Sequence, residues 1–342
     1  MTTIRYPWET PPENGEMVKI AESVFWLRLP LPMKLDHVNI YILDDGDGWT
    51  LIDTGMKSRK VQGIWQHLLD GPLLGKPVKR VVATHHHPDH IGLHGWFVEK
   101  FGAEYVSTQV AYLTARMLTL DVQDSYTPEQ IDFYRRAGMR ADLLAARETD
   151  RPFNFSDMVH PIPLGFTRIE EGDVIEMGGR TWDIRVDHGH APDHASFWSR
   201  DDNLVLSGDQ VIASISSNIG VYPTEPDANP LADWMHSCTR LQEFAHCDHL
   251  ALPGHKLPFI GMPLRLKQLL ENHYGALDRL RVDLQIPKTA GEVMLAVFKR
   301  NIEDGEYSLG LVEALAHCNY LWHAGEVRRT LDHDGAYRWK IK

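Results

Sequence analysis

The chain has 342 residues, of which 43% are hydrophobic and 24% are charged, and its formal net charge is −12 at pH 7. This length exceeds that of a typical single domain and predicts one large domain with a smaller appendage. The negative charge argues against a nucleic-acid partner, because binding to phosphates depends on clustered Lys and Arg. No apolar run reaches the roughly 18–20 residues of a membrane span, so we expect no membrane partner.

The N-terminus and the cysteines both indicate a cytoplasmic protein. The first residues lack the charged start, apolar stretch and cleavage site of a secretory signal. Cys238, Cys247 and Cys318 show no CxxC spacing and no paired framework. We therefore expect reduced, buried thiols.

The first third of the chain alternates predicted strands and helices. Segments 18–29, 37–44 and 49–52 are rich in β-branched and aromatic residues and are predicted strands. Residues 58–70 form a predicted helix. Residues 79–84 form a short apolar strand that ends at a histidine cluster.

Residues 110–149 form a predicted helical insert, which interrupts the alternation of strands and helices. Its predicted helices are Gln109–Leu120 and Pro128–Arg147. Further strands are predicted at 174–178, 181–187, 195–198, 204–207 and Leu250–Leu252, and further helices at 229–245 and 262–285. The insert therefore separates two regions with strand patterns.

Pro287 marks the predicted boundary between a catalytic domain at 18–286 and a C-terminal domain at 287–342. Beyond it, apolar residues at helical spacing predict two helices. The last residues alternate around the turn Asp334-Gly335 and predict a β-ribbon. Helices followed by a ribbon indicate a winged-helix-like domain.

The strongest chemical signal is the histidine cluster. Four potential metal ligands stand within six residues, namely His85, His87, Asp89 and His90. Imidazoles and carboxylates at this density suit a divalent metal such as zinc. The i, i+2 spacing lets the first two histidines reach one ion, and the Asp-His pair can then face a second. A solvent-exposed histidine run is the alternative, but this run is internal and abuts an apolar strand.

Four further motifs appear in order along the chain. They are Ile52-Asp53-Thr54-Gly55, Gly189-His190-Ala191-Pro192-Asp193-His194, Ser207-Gly208-Asp209 and Pro253-Gly254-His255. Together with the HxHxDH pattern of the cluster, they resemble the metallo-β-lactamase superfamily over residues 18–285. The resemblance implies an α/β fold, a four-layered αββα sandwich that carries the helical insert and the winged-helix-like subdomain.

The resemblance also implies two metal sites bridged by Asp209. The other ligands are His85, His87 and His190 for the first ion and Asp89, His90 and His255 for the second. Asp53 is implied to orient the histidines rather than to bind metal. His86 is expected to point away, and His194 is expected to be a hydrogen-bonding neighbour.

The implied activity is that of a dinuclear hydrolase, in which a bridging hydroxide attacks a small acyl substrate. Asp89 and Asp209 are the implied catalytic residues. Two zinc ions are the expected cofactors, with iron or manganese as alternatives. Acyl-CoA or acyl-glutathione thioesters are the first substrate candidates, followed by lactones and other esters. The commonest class B β-lactamases have Cys where this chain has Asp209, and the chain has no GxSxG nucleophile motif.

Residues 287–342 resemble the tail of a subgroup that contains thioesterase-like proteins and an endoribonuclease. The alternatives are therefore an endoribonuclease-type phosphodiesterase, a mono-iron enzyme like the persulfide dioxygenases, or an effector with residual hydrolase activity. This tail has eight basic and eight acidic residues, so its sequence does not predict a positively charged surface. We expect no nucleic-acid partner and assign the tail to packing or homodimerisation.

The substrate pocket is expected near the insert and the loop after Asp209. Its candidate residues are Met117, Tyr126, Tyr222 and Lys256. The insert either overhangs the metals or only packs onto the core. Tyr222 is a candidate hydrogen-bond donor to the substrate. Lys256 replaces the glycine that usually follows the PGH motif, so we expect the pocket to differ there.

Overall fold

Two β-sheets face each other in the computed structural model, which describes residues 3–342. The first sheet has seven strands, β1 to β7, in chain order. They are Met17–Ala21, Val24–Pro30, His37–Asp44, Trp49–Ile52, Val78–Val82, Glu104–Ser107 and Thr167–Arg168. β1 to β4 pair antiparallel, whereas β4 to β7 pair parallel.

The second sheet has six strands in the order β13-β12-β11-β10-β9-β8. Strands β8 to β13 are Val174–Met177, Arg180–Asp187, His194–Ser199, Leu204–Gly208, Leu250–Pro253 and Phe259–Ile260. β11 and β12 pair parallel, and the other neighbours pair antiparallel. A separate antiparallel ribbon joins β14 (Val327–Leu331) to β15 (Tyr337–Ile341).

Helices cover the outer faces of both sheets. Helices α1 to α11 are Arg59–Leu69, Pro88–Ile91, His94–Phe101, Gln109–Leu120, Pro128–Arg136, Ala141–Arg147, Phe155–Met158, Pro230–Leu241, Met262–Asp283, Met294–Phe298 and Tyr307–His323. A 3-10 turn at Asp304–Glu306 precedes the last helix. Within residues 3–342, no helix is both long and apolar enough to cross a membrane.

The alternation of side chains along β3 explains the layered order. Val38 and Ile40 pack into the core that contains Trp65 of α1, whereas Tyr41 and Leu43 join the core between the two sheets. Successive side chains of a strand point to opposite faces, and both faces are covered here. The strand is therefore buried along almost its whole length. The predicted αββα sandwich is confirmed.

Helices from both predicted domains cover the outer face of the second sheet. Val205 of β11 lies in one hydrophobic core with Trp234 of α8, Leu266 of α9 and Leu311 of α11. The C-terminal elements occur in the predicted order of two helices followed by a ribbon, and an acidic loop at 303–306 separates the helices. Residues after Pro287 thus share their core with the catalytic domain.

Two predicted elements are each divided in the structure. The segment 18–29 is a hairpin rather than one strand, because Ser23 has a φ of 57° and turns the chain. The predicted helix Pro128–Arg147 is interrupted at Gly138, which has a φ of 75°. A Cβ at this glycine would come within 2.3 Å of Thr289, so the backbone of the insert approaches the C-terminal domain closely.

The three cysteines are free thiols. Cys238 and Cys318 are buried, as predicted. The prediction for Cys247 is wrong, because this residue lies in an exposed turn between α8 and β12. Burial raises the pKa of the Cys238 and Cys318 thiols, which keeps them protonated at neutral pH.

We expect Leu311→Ala to lower the free energy of unfolding of the whole chain by about 3 kcal/mol, because the substitution leaves a cavity in the shared core. Thermal unfolding followed by circular dichroism measures this loss. Leu309→Ala on the same helix is the control, since Leu309 is 53% exposed. A separate unfolding transition that Leu311→Ala does not shift would contradict the shared core.

Candidate metal centre

The loops that follow β5, β9, β11 and β12 meet at one edge of the sandwich. β11 and β12 are parallel, and β9 runs in the same direction because the antiparallel β10 lies between it and β11. In the first sheet, β4 and β5 are parallel. Side chains just beyond these strand ends therefore converge, although they come from distant parts of the chain.

Three histidines form one group at this edge. The Nε2 atom of His85 lies 3.0 Å from Nδ1 of His87 and 3.3 Å from Nε2 of His190. One ring nitrogen from each histidine lies within 4.8 Å of the other two. Three imidazole nitrogens at these separations can hold one divalent cation.

A second group combines one carboxylate with two histidines. Oδ2 of Asp89 lies 3.3 Å from Nε2 of His255 and 3.7 Å from Nε2 of His90. These ligand atoms also lie within 4.8 Å of one another. Mixed nitrogen and oxygen donors suit a second divalent cation.

Asp209 lies between the two groups. Its Oδ2 atom is 3.5 Å from Nε2 of His190 and 3.2 Å from Nε2 of His255, and its Oδ1 atom is 3.5 Å from Nε2 of His90. One carboxylate therefore reaches ligands of both groups, which is the position of a bridging ligand. The structure brings together all seven residues that the sequence analysis proposes as metal ligands.

Asp53 orients a ligand without joining either group. Its Oδ2 atom accepts a hydrogen bond from Nδ1 of His90 at 2.7 Å, and its carboxylate also accepts from the backbone N–H and the hydroxyl of Thr84, at 2.9 and 2.7 Å. Asp53 has a φ of 63°, a left-handed conformation that is uncommon for residues other than glycine. An acceptor at Nδ1 fixes the tautomer in which Nε2 of His90 is free to bind metal.

Two further histidines lie beside the groups. Nε2 of His194 accepts a hydrogen bond from the backbone N–H of Asp209 at 2.9 Å, and its ring stacks on that of His85. The His86 ring stacks instead on Phe155, with 6.3 Å between ring centroids. These placements are the ones that the sequence analysis expects.

The residues that hold the His255 loop are not identified from the sequence. The carbonyl of His37 accepts a hydrogen bond from Nδ1 of His255 at 2.7 Å, and Nε2 of His37 accepts one from the N–H of Lys256 at 2.9 Å. Asn39 donates to the carbonyls of Pro253 and Lys256 at 2.9 and 2.7 Å. The available signal is a His and an Asn at alternate positions of an otherwise apolar strand.

Two glycines leave room for the ligands. A Cβ on Gly254 would lie 2.3 Å from Oδ1 of Asp209 and 2.7 Å from Cε1 of His90. A Cβ on Gly208 would lie 2.6 Å from Nε2 of His194, and this glycine also has a φ of 47°. The glycine of the PGH motif is therefore required by close contact with two proposed ligands, and the glycine of the SGD motif by close contact with the neighbouring His194.

The chemistry of the two groups fits divalent metals. Nε2 of His90 and Oδ1 of Asp209 are buried without a hydrogen-bond partner among residues 3–342, which is unfavourable unless a cation binds them. Burial, and then the nearby His90, lower the pKa of His85 well below its ordinary value, so its lone pair is available. Burial alone would lower the pKa of His255, but Asp209 and Asp89 raise it to about 10. A cation at the second group therefore displaces a proton.

The four candidate pocket residues have different surroundings. Met117 is 50% exposed, on the face of α4 opposite its buried side chains. The hydroxyl of Tyr126 accepts a hydrogen bond from Arg147, whose guanidinium also lies over the Tyr126 ring. Lys256 is half-buried and has a φ of 67°, which explains why glycine is favoured at this position. Tyr222 is 43% exposed and follows Asp209 on the same connection between β11 and α8.

Comparison with known proteins identifies the fold family. The family model of the Metallo-beta-lactamase superfamily matches residues 33–250. The chain belongs to the metallo-β-lactamase superfamily. The model of the Metallo-beta-lactamase-like C-terminal domain matches residues 277–342. Over 307 residues, the chain is 25% identical to the Probable metallo-hydrolase YqjP of Bacillus subtilis (strain 168), which covers 88% of this chain and 92% of that protein.

Two crystal structures from the superfamily are similar over almost the whole chain. A Beta-lactamase domain protein from Burkholderia ambifaria has a TM-score of 0.89 at 34% identity, covering 99% of this chain and 97% of that one. The metallo-beta-lactamase family protein TTHA1429 from Thermus thermophilus has a TM-score of 0.79 at 27% identity, covering 95% and 100%. These matches support a metallo-hydrolase of the metallo-β-lactamase superfamily with the C-terminal domain included.

We expect Asp209→Ala to lose most of its bound metal, because the bridging carboxylate contacts ligands of both groups. His194→Ala should retain metal and lower its affinity by about 10- to 100-fold, the usual effect of removing a partner of a ligand. Elemental analysis and titration of the metal-free proteins measure both. Equal loss of metal in the two variants would show that the ligand assignment is wrong.

Proposed function

We propose that the protein is a dinuclear metal-dependent hydrolase that cleaves a small acyl substrate. The observation that carries this proposal is the position of Asp209, whose oxygens lie 3.2 to 3.5 Å from histidine nitrogens of both groups. A carboxylate shared in this way holds two cations close together. Binuclear sites of this kind serve hydrolytic reactions.

Zinc is the proposed metal at both sites. His85, His87 and His190 would hold the first ion, and the second group supplies the nitrogen and oxygen donors that zinc also accepts. Iron and manganese are the alternatives. When bound, the two ions lower the pKa of a water molecule and polarise the substrate carbonyl.

The two aspartates of the site have different proposed roles. The side chain of Asp89 is 20% exposed, whereas that of Asp209 is 7% exposed. Asp89 is therefore the carboxylate that water and substrate can reach, and we assign it the acceptance of the proton from the attacking water. Asp209 keeps the two groups of ligands at a fixed separation.

A thioester is the proposed substrate class, with acyl-CoA and acyl-glutathione first and lactones next. The chain has no GxSxG nucleophile motif and the metal-ligand groups contain no Cys, so we assign the attack to water. Tyr222 is proposed to donate a hydrogen bond to the substrate, because its exposed ring follows Asp209 on the same loop.

The C-terminal domain, proposed to be winged-helix-like, is assigned to packing rather than to nucleic acid. Three of its four arginines, Arg300, Arg329 and Arg338, are paired with carboxylates. Arg329 lies 2.7 Å from Asp227, and Arg338 lies 2.6 Å from Asp332 and 2.7 Å from Asp334. Paired arginines contribute little to phosphate binding, because a phosphate must displace the carboxylate.

We expect the purified protein to carry close to two metal ions per chain, mainly zinc, and to hydrolyse acyl thioesters. Elemental analysis gives the metal content, and a panel of thioesters, lactones, phosphodiesters and β-lactams gives the activity. Asp209→Ala is the inactive control. One iron per chain without zinc would contradict the dinuclear hydrolase and favour the mono-iron dioxygenase.

We also expect negligible binding to single-stranded RNA at physiological salt, because the net charge is −12 and the C-terminal domain has no excess of basic residues. A gel-shift assay and a cleavage assay, each over a range of salt concentrations, test this. Thioester hydrolysis should change little with ionic strength. If the protein cleaves RNA and Asp209→Ala abolishes the cleavage, the proposed acyl hydrolase is wrong and the endoribonuclease is favoured.

A further inference from the structure

The ligand His190 is oriented by a loop that the C-terminal helix α11 holds. Nδ1 of His190 donates a hydrogen bond to the carbonyl of Asn218 at 2.8 Å, so its Nε2 atom faces the other ligands. Asn218 lies on the connection between β11 and α8, which begins at Asp209. The orientation of His190 therefore depends on where this loop places the Asn218 carbonyl.

The side chain of Asn218 is fixed by α11. Its Nδ2 atom donates to Oε2 of Glu313 at 2.7 Å and to the carbonyl of Leu309 at 3.2 Å. A backbone hydrogen bond also joins the N–H of Val221 to the carbonyl of Val312 in α11 at 3.2 Å. The loop is thus held to the C-terminal domain at two nearby residues, Asn218 and Val221.

The same loop is closed onto the bridging ligand. The hydroxyl of Ser217 donates a hydrogen bond to the carbonyl of Asp209. The segment from Asp209 to Asn218 therefore begins at one proposed metal ligand, Asp209, and contacts another, His190, at its end. A shift of this segment would move the Asn218 carbonyl away from His190.

The ligands of the second group are oriented within the catalytic domain. His90 donates to Asp53, which follows β4, and His255 donates to the carbonyl of His37 at the start of β3. Neither hydrogen bond involves α11. A change in α11 should therefore affect the two metal sites unequally.

We propose that Asn218 and Glu313 are positioning residues, through which the C-terminal domain holds His190 in the geometry of the first metal site. This inference rests on the proposed dinuclear site. Removing the partner of a metal-bound histidine typically lowers metal affinity by about 10- to 100-fold. This range is the upper limit for variants of Asn218 and Glu313, because the carbonyl of residue 218 remains and can only be displaced. Asn218 and Glu313 act through the same hydrogen bond, so the losses of zinc affinity in the two single variants should not add in the double variant.

The test measures zinc affinity on the metal-free full-length chain by competition with a chelator. Asn218→Ala and Glu313→Ala should each weaken one zinc site, by at most about 10- to 100-fold, and leave the other unchanged. The double variant should lose no more than either single variant. Glu313→Gln keeps an oxygen acceptor for Asn218 and should restore most of the affinity.

Asn319→Ala is the matched control. Asn319 lies on the same helix and donates to the carbonyls of Pro226 and Ala228 at 3.1 and 3.0 Å, which ties α11 to the far end of the same connection. It should lower the melting temperature without changing either zinc affinity. If Asn319→Ala weakens zinc binding as Glu313→Ala does, or if all variants bind zinc like the wild type, the positioning role is wrong.

These outcomes are distinct from a failure of the proposed function. A wild-type chain that binds two zinc ions but hydrolyses no acyl substrate contradicts only the proposed activity. A wild-type chain that binds one zinc contradicts the dinuclear site. In that case, the positioning role is also wrong if the Asn218 and Glu313 variants bind zinc with the same affinity as the wild type.

Discussion

The carboxylate of Asp209 faces both histidine groups, and the surrounding structure keeps this buried charge in place. Its backbone N–H donates to His194 and its carbonyl accepts from Ser217. Gly254 has no Cβ to occupy the space beside its Oδ1 atom. Burial works to raise the pKa of Asp209, but His255 and His90 together hold it well below its ordinary range. The carboxylate thus stays ionised, as its proposed bridging role requires.

The strand directions make this arrangement geometrically accessible. Ligands follow β5, β9, β11 and β12, whose ends lie at one edge of two facing sheets. The sheets and their cores are apolar and rigid, whereas the loops at this edge carry the polar side chains. Hydrogen bonds hold these loops in place. Asn39 of β3 donates to the carbonyls of Pro253 and Lys256, and Asn218 of the loop after β11 donates to Glu313 of α11.

The helical insert joins the two outer layers. Tyr112 of α4 packs in the core of the first sheet's helices, whereas Phe133 of α5 packs in the core shared with the C-terminal helices. Arg140, between α5 and α6, also lies 2.7 Å from Asp304 of the acidic loop. Both ends of the insert therefore take part in packing. The C-terminal domain likewise contributes to the fourth layer and, through α11, contacts the loop after Asp209.

The sequence by itself determined the layered fold, the order of most strands and helices, and the candidate ligands. Local periodicity shows which segments are strands, and the ligand motifs are short enough to be recognised without the fold. Asp53, which orients His90, is implied by its motif, but only the tertiary structure decided which groups orient His190 and His255. His37 and His255 are 218 positions apart, and Asn218 and Glu313 are 95 positions apart. The break at Gly138 also depends on a distant contact, with Thr289. Such pairs leave no local pattern, because the residues meet only when the sheets and the C-terminal helices pack.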